Sequence, residues 1–147
     1  MILVDSSVWI DFFNGRSTAA AEILTQLLDE AAAPIAIADL ALFEVLRGFR
    51  HERDYLAADR VLRALEVVAI GGDTLCRAAA GHYRDLRARG ITIASPIDVL
   101  QASYCIENNF ALLHSDTDFD AMETWRGLKV WRHRANPVDA AARPPVQ

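Results

Sequence analysis

The chain has 147 residues and a formal net charge of −5 with histidine counted as neutral. This length fits one ordinary domain, which can fold without a disulfide or a structural metal. The negative charge excludes nucleic-acid binding by a general excess of Lys and Arg, so any polyanion must be held locally, by bound cations or by a basic patch.

The first residues of the chain and its two cysteines bear on the cellular location of the protein. The apolar run at 2–4 lacks a basic flank and is too short for a signal peptide or a membrane span. Cys76 and Cys105 lie in apolar helical patterns without the spacing of a zinc site, so we expect buried, reduced thiols. We therefore predict a cytoplasmic protein that does not contact a membrane.

Short apolar runs alternate with longer helical patterns along the chain. The runs are typical of buried strands of a parallel sheet, and lie at 2–4, 35–37, 67–70, 111–113 and 128–131. Apolar positions at 3.6-residue spacing predict amphipathic helices over 20–31 and 75–86. The alternation predicts an α/β fold, a three-layer sandwich in which helices flank a central parallel sheet through right-handed crossovers. We expect this domain to span 1–135 and the Ala/Pro/Arg-rich segment 136–147 to be a flexible tail.

Two aspartates follow predicted strands. Asp5 comes directly after the first strand, and Asp116 follows the fourth after two residues. In an open parallel sheet ligands bind beyond the carboxyl ends of the strands, so both acids are candidates for a functional site. Each could instead be the N-cap of a following helix, because Asp is a good N-cap residue.

A third aspartate stands near the start of a predicted helix. Ser95 can cap this helix, Pro96 suits its first position, and Asp98 then takes the third. Asp98 could therefore act in a capping box, where it would also favour the helix dipole, or it could face a site.

Glu44 lies in an otherwise nearly apolar helical segment, 40–49. An ion pair with Arg47, three residues further on, is one explanation for a carboxylate there. A functional role fits at least as well, because the segment is expected to pack on the sheet.

Together the four acids predict a metal site. Two carboxylates at about 4 Å repel each other by roughly 4 kcal/mol at an effective dielectric constant near 20, so a cluster requires compensation. A divalent cation is the simplest compensation, and ligands that are all oxygen select Mg²⁺ or Mn²⁺ before zinc. Such an ion could orient and activate water for attack on a phosphodiester.

The remaining polar candidates are weaker. Five arginines could form a basic patch or only a solvated helix face: Arg47, Arg50, Arg53, Arg60 and Arg63. The four histidines form no metal-binding pair, and His114 is notable only because it stands two residues before Asp116.

Four segments, in order and spacing, resemble a known family. They are ILVDSSVWID at 2–11, EVLRG at 44–48, IASPIDVLQA at 93–102 and LLHSDTDF at 112–119. They resemble the PIN domain, and most of all the VapC ribonuclease toxins of bacterial toxin–antitoxin modules. The resemblance implies a PIN-like fold, Mg²⁺- or Mn²⁺-dependent endoribonuclease activity on structured RNA, a cognate antitoxin as partner, and a homodimer.

The resemblance also implies roles for individual residues. It makes Asp5, Glu44, Asp98 and Asp116 the catalytic acids, with Asp5, Asp98 and Asp116 as metal ligands. Ser6 matches a small hydroxyl position beside the site, and Asp118 is a possible peripheral acid. The chain departs from many members at His114, where Thr is frequent, and at 100–102, where Leu-Gln-Ala replaces Ile-Ala-Ala. We expect neither departure to touch the four acids.

Two other functions remain open on the sequence. One is a metal-dependent phosphohydrolase acting on a small phosphoester with Asp5 as nucleophile, although that chemistry would place a second Asp where the chain has Ser7. The other is a non-catalytic PIN-like domain that binds RNA or a protein partner, although such a domain usually lacks one or more of the acids. For any of these functions, the segment 42–53 could receive a helix or strand of a partner protein, although burial in the core of the monomer explains its hydrophobic residues equally well.

Overall fold

The computed structural model describes residues 1–31 and 33–132. The predicted tail at 136–147 lies outside this part. Five strands and seven helices form the described chain in the order β1 Ile2–Val4, α1 Ser6–Phe13, α2 Ala19–Glu30, β2 Ile35–Ala38, α3 Asp39–Arg47, α4 Glu52–Leu62, β3 Glu66–Val68, α5 Asp73–Ala88, α6 Pro96–Asn108, β4 Ala111–Leu113, α7 Asp120–Arg126 and β5 Lys129–Val130. A short 3-10 helix, Thr117–Phe119, precedes α7.

All five strands are parallel and form one sheet in the order β3-β2-β1-β4-β5. Helix α1 packs on α2 and α3, and α3 packs on α4, whereas α5 packs on α6 and α7. With right-handed crossovers, the first four helices cover one face of the sheet and the last three cover the other. The predicted parallel α/β fold is confirmed.

The helix boundaries follow local chemistry. Thr18 caps α2 by accepting a hydrogen bond from the backbone N–H of Ala21 at 3.1 Å. Ser95 caps α6 in the same way, and Pro96 takes the first helical position as predicted. Helix α7 ends at Gly127, whose φ of +77° is a left-handed conformation that favours glycine.

The core lies on both faces of the central strands. Leu3, Val4, Ile37, Leu112 and Leu113 are completely or almost completely buried. Among the described residues, no helix is long and apolar enough to cross a membrane.

Two expectations about burial are wrong. The third strand begins one residue earlier than predicted, and Val67 in it is 47% exposed because β3 is an edge strand. Cys105 is buried as expected, but Cys76 is exposed, because it lies on the outer face of α5.

Candidate metal site

The carboxyl ends of two neighbouring strands bring the first two acids to one edge of the sheet. Val4 pairs with Leu113, and the backbone N–H of Asp5 donates to the Leu113 carbonyl at 3.0 Å. Asp5 therefore lies beside the segment that carries Asp116. Both aspartates also act as N-caps: Asp5 accepts from Ser7 N–H, and Asp116 accepts from the N–H two residues further on at 2.9 Å. The capping role and the site position coexist in each.

The first turn of α6 supplies the third acid. The backbone N–H of Asp98 donates to the Ser95 hydroxyl at 3.4 Å, which fixes the start of the helix. The Asp98 carboxylate makes no return hydrogen bond to its N-cap within the described chain, so the full capping box is not formed. Instead, carboxylate oxygens of Asp98, Asp116 and Asp118 all lie within 4.8 Å of one another.

The electrostatics of Asp98 link the whole set of acids. Its pKa is raised from 3.8 to about 7, first by burial and then by the negative charges of Asp5, Asp116, Glu44 and Asp118, in that order. The other three acids predicted from the sequence are therefore close enough to Asp98 to raise its pKa. The exposed Asp118 belongs to the same cluster, although it was predicted only as a peripheral acid.

Glu44 reaches this cluster from α3 and is partly buried. Its Oε1 atom is buried and has no hydrogen-bond partner among the described residues. The predicted alternative, an ion pair with Arg47, is wrong, because the Arg47 guanidinium lies over the Phe43 ring at 5.3 Å from its centroid. A buried carboxylate oxygen without a partner fits a site that receives a cation or a polarised water.

Asp5 is held by two residues that the sequence analysis did not assign. Its Oδ2 accepts hydrogen bonds from the backbone N–H and the hydroxyl of Ser7, and its Oδ1 accepts from Nε2 of Gln101 at 2.7 Å. Ser6 is buried, but it is the hydroxyl of Ser7 that contacts Asp5. The spacing contained a signal for Gln101, since it stands one helical turn after Asp98.

His114 also contacts the cluster. Its Nδ1 accepts a hydrogen bond from the backbone N–H of Asp116 at 3.2 Å, so the proton of the neutral ring lies on Nε2. Burial lowers the pKa of His114, against the opposing charge of Asp5. The expectation that the departures at His114 and at 100–102 leave the four acids untouched is therefore wrong. His114 touches Asp116 through the backbone, and Gln101 touches Asp5 directly.

The positive side chains do not neutralise the site. No ion pair formed within residues 1–31 and 33–132 involves any of the four predicted acids. The five arginines of the predicted basic patch are exposed on or beside α3 and α4, and Arg63 pairs with Asp59 at 2.7 Å. Several carboxylates without cationic partners, one of them with a raised pKa, form an all-oxygen donor set that suits Mg²⁺ or Mn²⁺.

Comparisons with known proteins agree with this geometry. The family model described as the PIN domain matches residues 2–124. Ribonuclease VapC11 of Mycobacterium tuberculosis is 34% identical over 122 residues, which cover 83% of this chain and 91% of that protein. A VapC ribonuclease of Mycobacterium bovis matches equally well.

Solved structures show the same fold at lower identity. The crystal structure of VapBC2 from Rickettsia felis, bound to a DNA fragment from its promoter, aligns with a TM-score of 0.69 and 19% identity over 89% of this chain and 98% of that chain. FitAcB from Neisseria gonorrhoeae aligns with a TM-score of 0.68 and 14% identity over 90% and 97%. The resemblance predicted from the four motifs is confirmed, and the chain belongs to the PIN domain family.

Proposed function

We propose that the chain is a divalent-metal-dependent endoribonuclease and the toxin of a toxin–antitoxin pair. The observation that carries the proposal is the cluster at the carboxyl edge of the sheet, where Asp5, Glu44 and Asp116 all raise the pKa of Asp98. The relatives at 34% identity are named VapC ribonucleases, which supports RNA as the substrate.

In this proposal Asp5, Asp98 and Asp116 hold Mg²⁺ or Mn²⁺. When bound, the ion supplies a polarised water and stabilises the charge that develops on the phosphate. Burial and the neighbouring acids raise the pKa of Asp98 to about 7, so below this pH the carboxyl would have to lose its proton in order to bind the ion. Glu44 offers its unpartnered Oε1 as acceptor for a proton of the attacking water.

A cleavage assay with matched variants tests this function. Purified protein should cleave structured RNA with Mg²⁺ or Mn²⁺ and lose the activity with EDTA. Asp116→Asn should abolish cleavage, whereas Asp120→Asn should retain it, because Asp120 lies outside the cluster at the start of α7. Equal cleavage by both variants would contradict the proposal. Release of phosphate from p-nitrophenyl phosphate without RNA cleavage would favour the phosphohydrolase instead.

We also propose that a cognate antitoxin binds between α1, the end of α3, and α4. A cavity of about 540 Å³ lies there, and its lining includes Phe12, Phe49, Arg50 and Val61. On α3, Phe43 is 59% exposed and lies under the Arg47 guanidinium, so the segment 42–53 offers apolar surface beside a positive charge. Solved relatives such as the complex from Klebsiella pneumoniae are described as toxin–antitoxin complexes, which supports a partner of this kind.

Growth assays test the partner. Expression of the chain should arrest growth, and the product of a small neighbouring reading frame should relieve the arrest. Val61→Glu should keep the toxicity but abolish the relief, whereas Val67→Glu, on the exposed face of edge strand β3, should leave the relief intact. Relief of the Val61 variant would place the antitoxin elsewhere.

The homodimer and the cytoplasmic location are proposals that rest on the family resemblance. The two free cysteines suit a reducing compartment. Light scattering of the purified chain should give twice the mass of 16.2 kDa. A monomer at micromolar concentration would contradict the dimer.

A further inference from the structure

We propose that Gln101 is a positioning residue of the metal site: its side-chain amide fixes the Asp5 carboxylate in the orientation that binds the ion. The inference rests on the proposed metal site and goes beyond it. It concerns Gln101, which lies in the segment 100–102 where the chain departs from many family members, and it assigns that residue a chemical task.

The contact joins two residues that are 96 positions apart in the chain. Gln101 lies on α6, its side chain is completely buried, and its Nε2 atom donates to Oδ1 of Asp5 at 2.7 Å. Because Asp98 stands one turn earlier on the same helix, α6 supplies both a carboxylate to the site and a donor to a second carboxylate of that site. Any movement of α6 relative to β1 therefore changes the positions of two metal ligands together.

The donors leave Asp5 little freedom. Ser7 supplies two hydrogen bonds to Oδ2, and Gln101 supplies one to Oδ1. A carboxylate offers about four lone-pair positions, so three are used and about one remains for a cation. Rotation of the carboxylate would break hydrogen bonds on both oxygens. The free lone pair is thereby held in one direction before the ion arrives, as is typical of residues that orient metal ligands from behind.

The side chain of Gln101 is a neutral amide, and its lack of charge matters for metal binding. A Lys or Arg at position 101 would hold Asp5 equally well, but its charge would compete with the ion for the same acids. Glutamine donates without adding charge, so the negative potential of the cluster remains available to the ion.

The amide of Gln101 also brings an energetic cost, which an apolar side chain at this position would not have. Because Nε2 must face the carboxylate, Oε1 faces away, and this oxygen is buried without a hydrogen-bond partner among the described residues. An apolar side chain of similar volume would fill the space without an unpaired acceptor. The presence of glutamine at this position is thus explained by its donor and not by packing.

The test measures metal binding and not catalysis. Titration calorimetry of the full chain with Mn²⁺ should show roughly 10- to 100-fold weaker binding for Gln101→Met than for the wild type. Ser103→Ala is the matched control, because Ser103 is equally buried on the same helix and its hydroxyl has no partner in the described chain. Its Mn²⁺ affinity should stay within about twofold of the wild type.

Thermal unfolding separates positioning from general stability. The melting temperature of Gln101→Met in EDTA should fall by an amount typical of one lost hydrogen bond, because Asp5 loses a donor, and the increase that Mn²⁺ produces should also shrink. A purely structural role would lower the melting temperature equally with and without Mn²⁺. If the Met variant does not fold, Gln101→Leu provides the same comparison.

The outcomes distinguish this inference from the proposed function. Wild-type Mn²⁺ affinity in a folded Gln101→Met variant would overturn the inference and leave the nuclease intact. Mn²⁺ binding that is weakened by Gln101→Met, in a protein that cleaves no RNA, would support the inference and contradict the nuclease. A wild-type protein that binds no Mn²⁺ would overturn both.

Discussion

Asp98→Asn should stabilise the metal-free protein at pH 8 even though it removes a proposed metal ligand. In the wild type, burial and four neighbouring acids raise the pKa of Asp98 from 3.8 to about 7. At pH 8 the ionised Asp98 carboxylate therefore destabilises the folded state. Asparagine has nearly the same shape and no charge, so it removes the repulsion without opening a cavity.

The size of the effect follows from the pKa. Each pKa unit corresponds to about 1.36 kcal/mol, so a rise from 3.8 to about 7 would amount to about 4 kcal/mol for a fully buried group. The Asp98 side chain is only partly buried, and solvent screening reduces this to about 2 kcal/mol. For a domain of this size, such a gain raises the melting temperature by roughly 4–8 °C.

The pH dependence has a definite sign. Between about pH 4 and pH 7 the folded protein binds more protons at Asp98 than the unfolded chain does, so this group makes the free energy of unfolding fall as the pH rises. The advantage of Asp98→Asn should be complete above pH 7, shrink below it, and vanish near pH 4.

Urea unfolding in EDTA at pH 8, 6 and 5 provides the assay. Saturating Mn²⁺ at pH 8 should reverse the order, because the ion stabilises only the protein with an intact carboxylate. If Asp98→Asn is less stable than the wild type at pH 8 in EDTA, the repulsion among the acids is not the dominant force at this site.

Three further predictions concern single side chains. Glu44→Gln should slow RNA cleavage by roughly 100-fold or more, while Glu52→Gln on the exposed first turn of α4 should not; equal rates would deny Glu44 a catalytic role. A thiol reagent should modify one cysteine of the native chain, the exposed Cys76, and reach Cys105, whose pKa burial raises to about 12, only after unfolding; rapid reaction of both would contradict the packing of α6. His82→Leu should cost about 1–3 kcal/mol in urea unfolding, because the buried ring bridges α6 and α7 by hydrogen bonds of 3.0 and 2.9 Å; a loss under about 0.5 kcal/mol would show that the bridge is not stabilising.

Much of the fold could be predicted because the signals are local. Short apolar runs marked all five strands, and Ser95 followed by Pro96 marked the start of α6. The exposure of Val67 could not be predicted, because the sequence shows that β3 is apolar but not that it lies at the edge of the sheet. The prediction that Cys76 is buried was wrong for a similar reason, since a helical pattern does not determine how wide the buried face of the helix is.

The metal site likewise has parts that could be predicted from the sequence and parts that could not. Asp5 and Asp116 could be predicted to meet because parallel strands place their carboxyl ends at one edge. The hydrogen bond from Gln101 to Asp5 joins residues 96 positions apart and depends on how α6 lies against the sheet. No local sequence pattern determines the orientation of α6 relative to the sheet. Similarly, the backbone contact of His114 with Asp116 depends on the turn after β4, which spacing alone does not determine.

A crystal of the protein soaked in MnCl₂ and measured at the manganese edge would show whether the acids bind a metal ion. We expect an anomalous peak at the carboxyl edge of the sheet, coordinated by oxygens of Asp5, Asp98 and Asp116 at roughly the 2.0–2.2 Å typical of such ions. The Gln101 amide should keep its hydrogen bond to Asp5. The absence of a peak there, or a peak that only Asp118 and solvent coordinate, would contradict the proposed metal site.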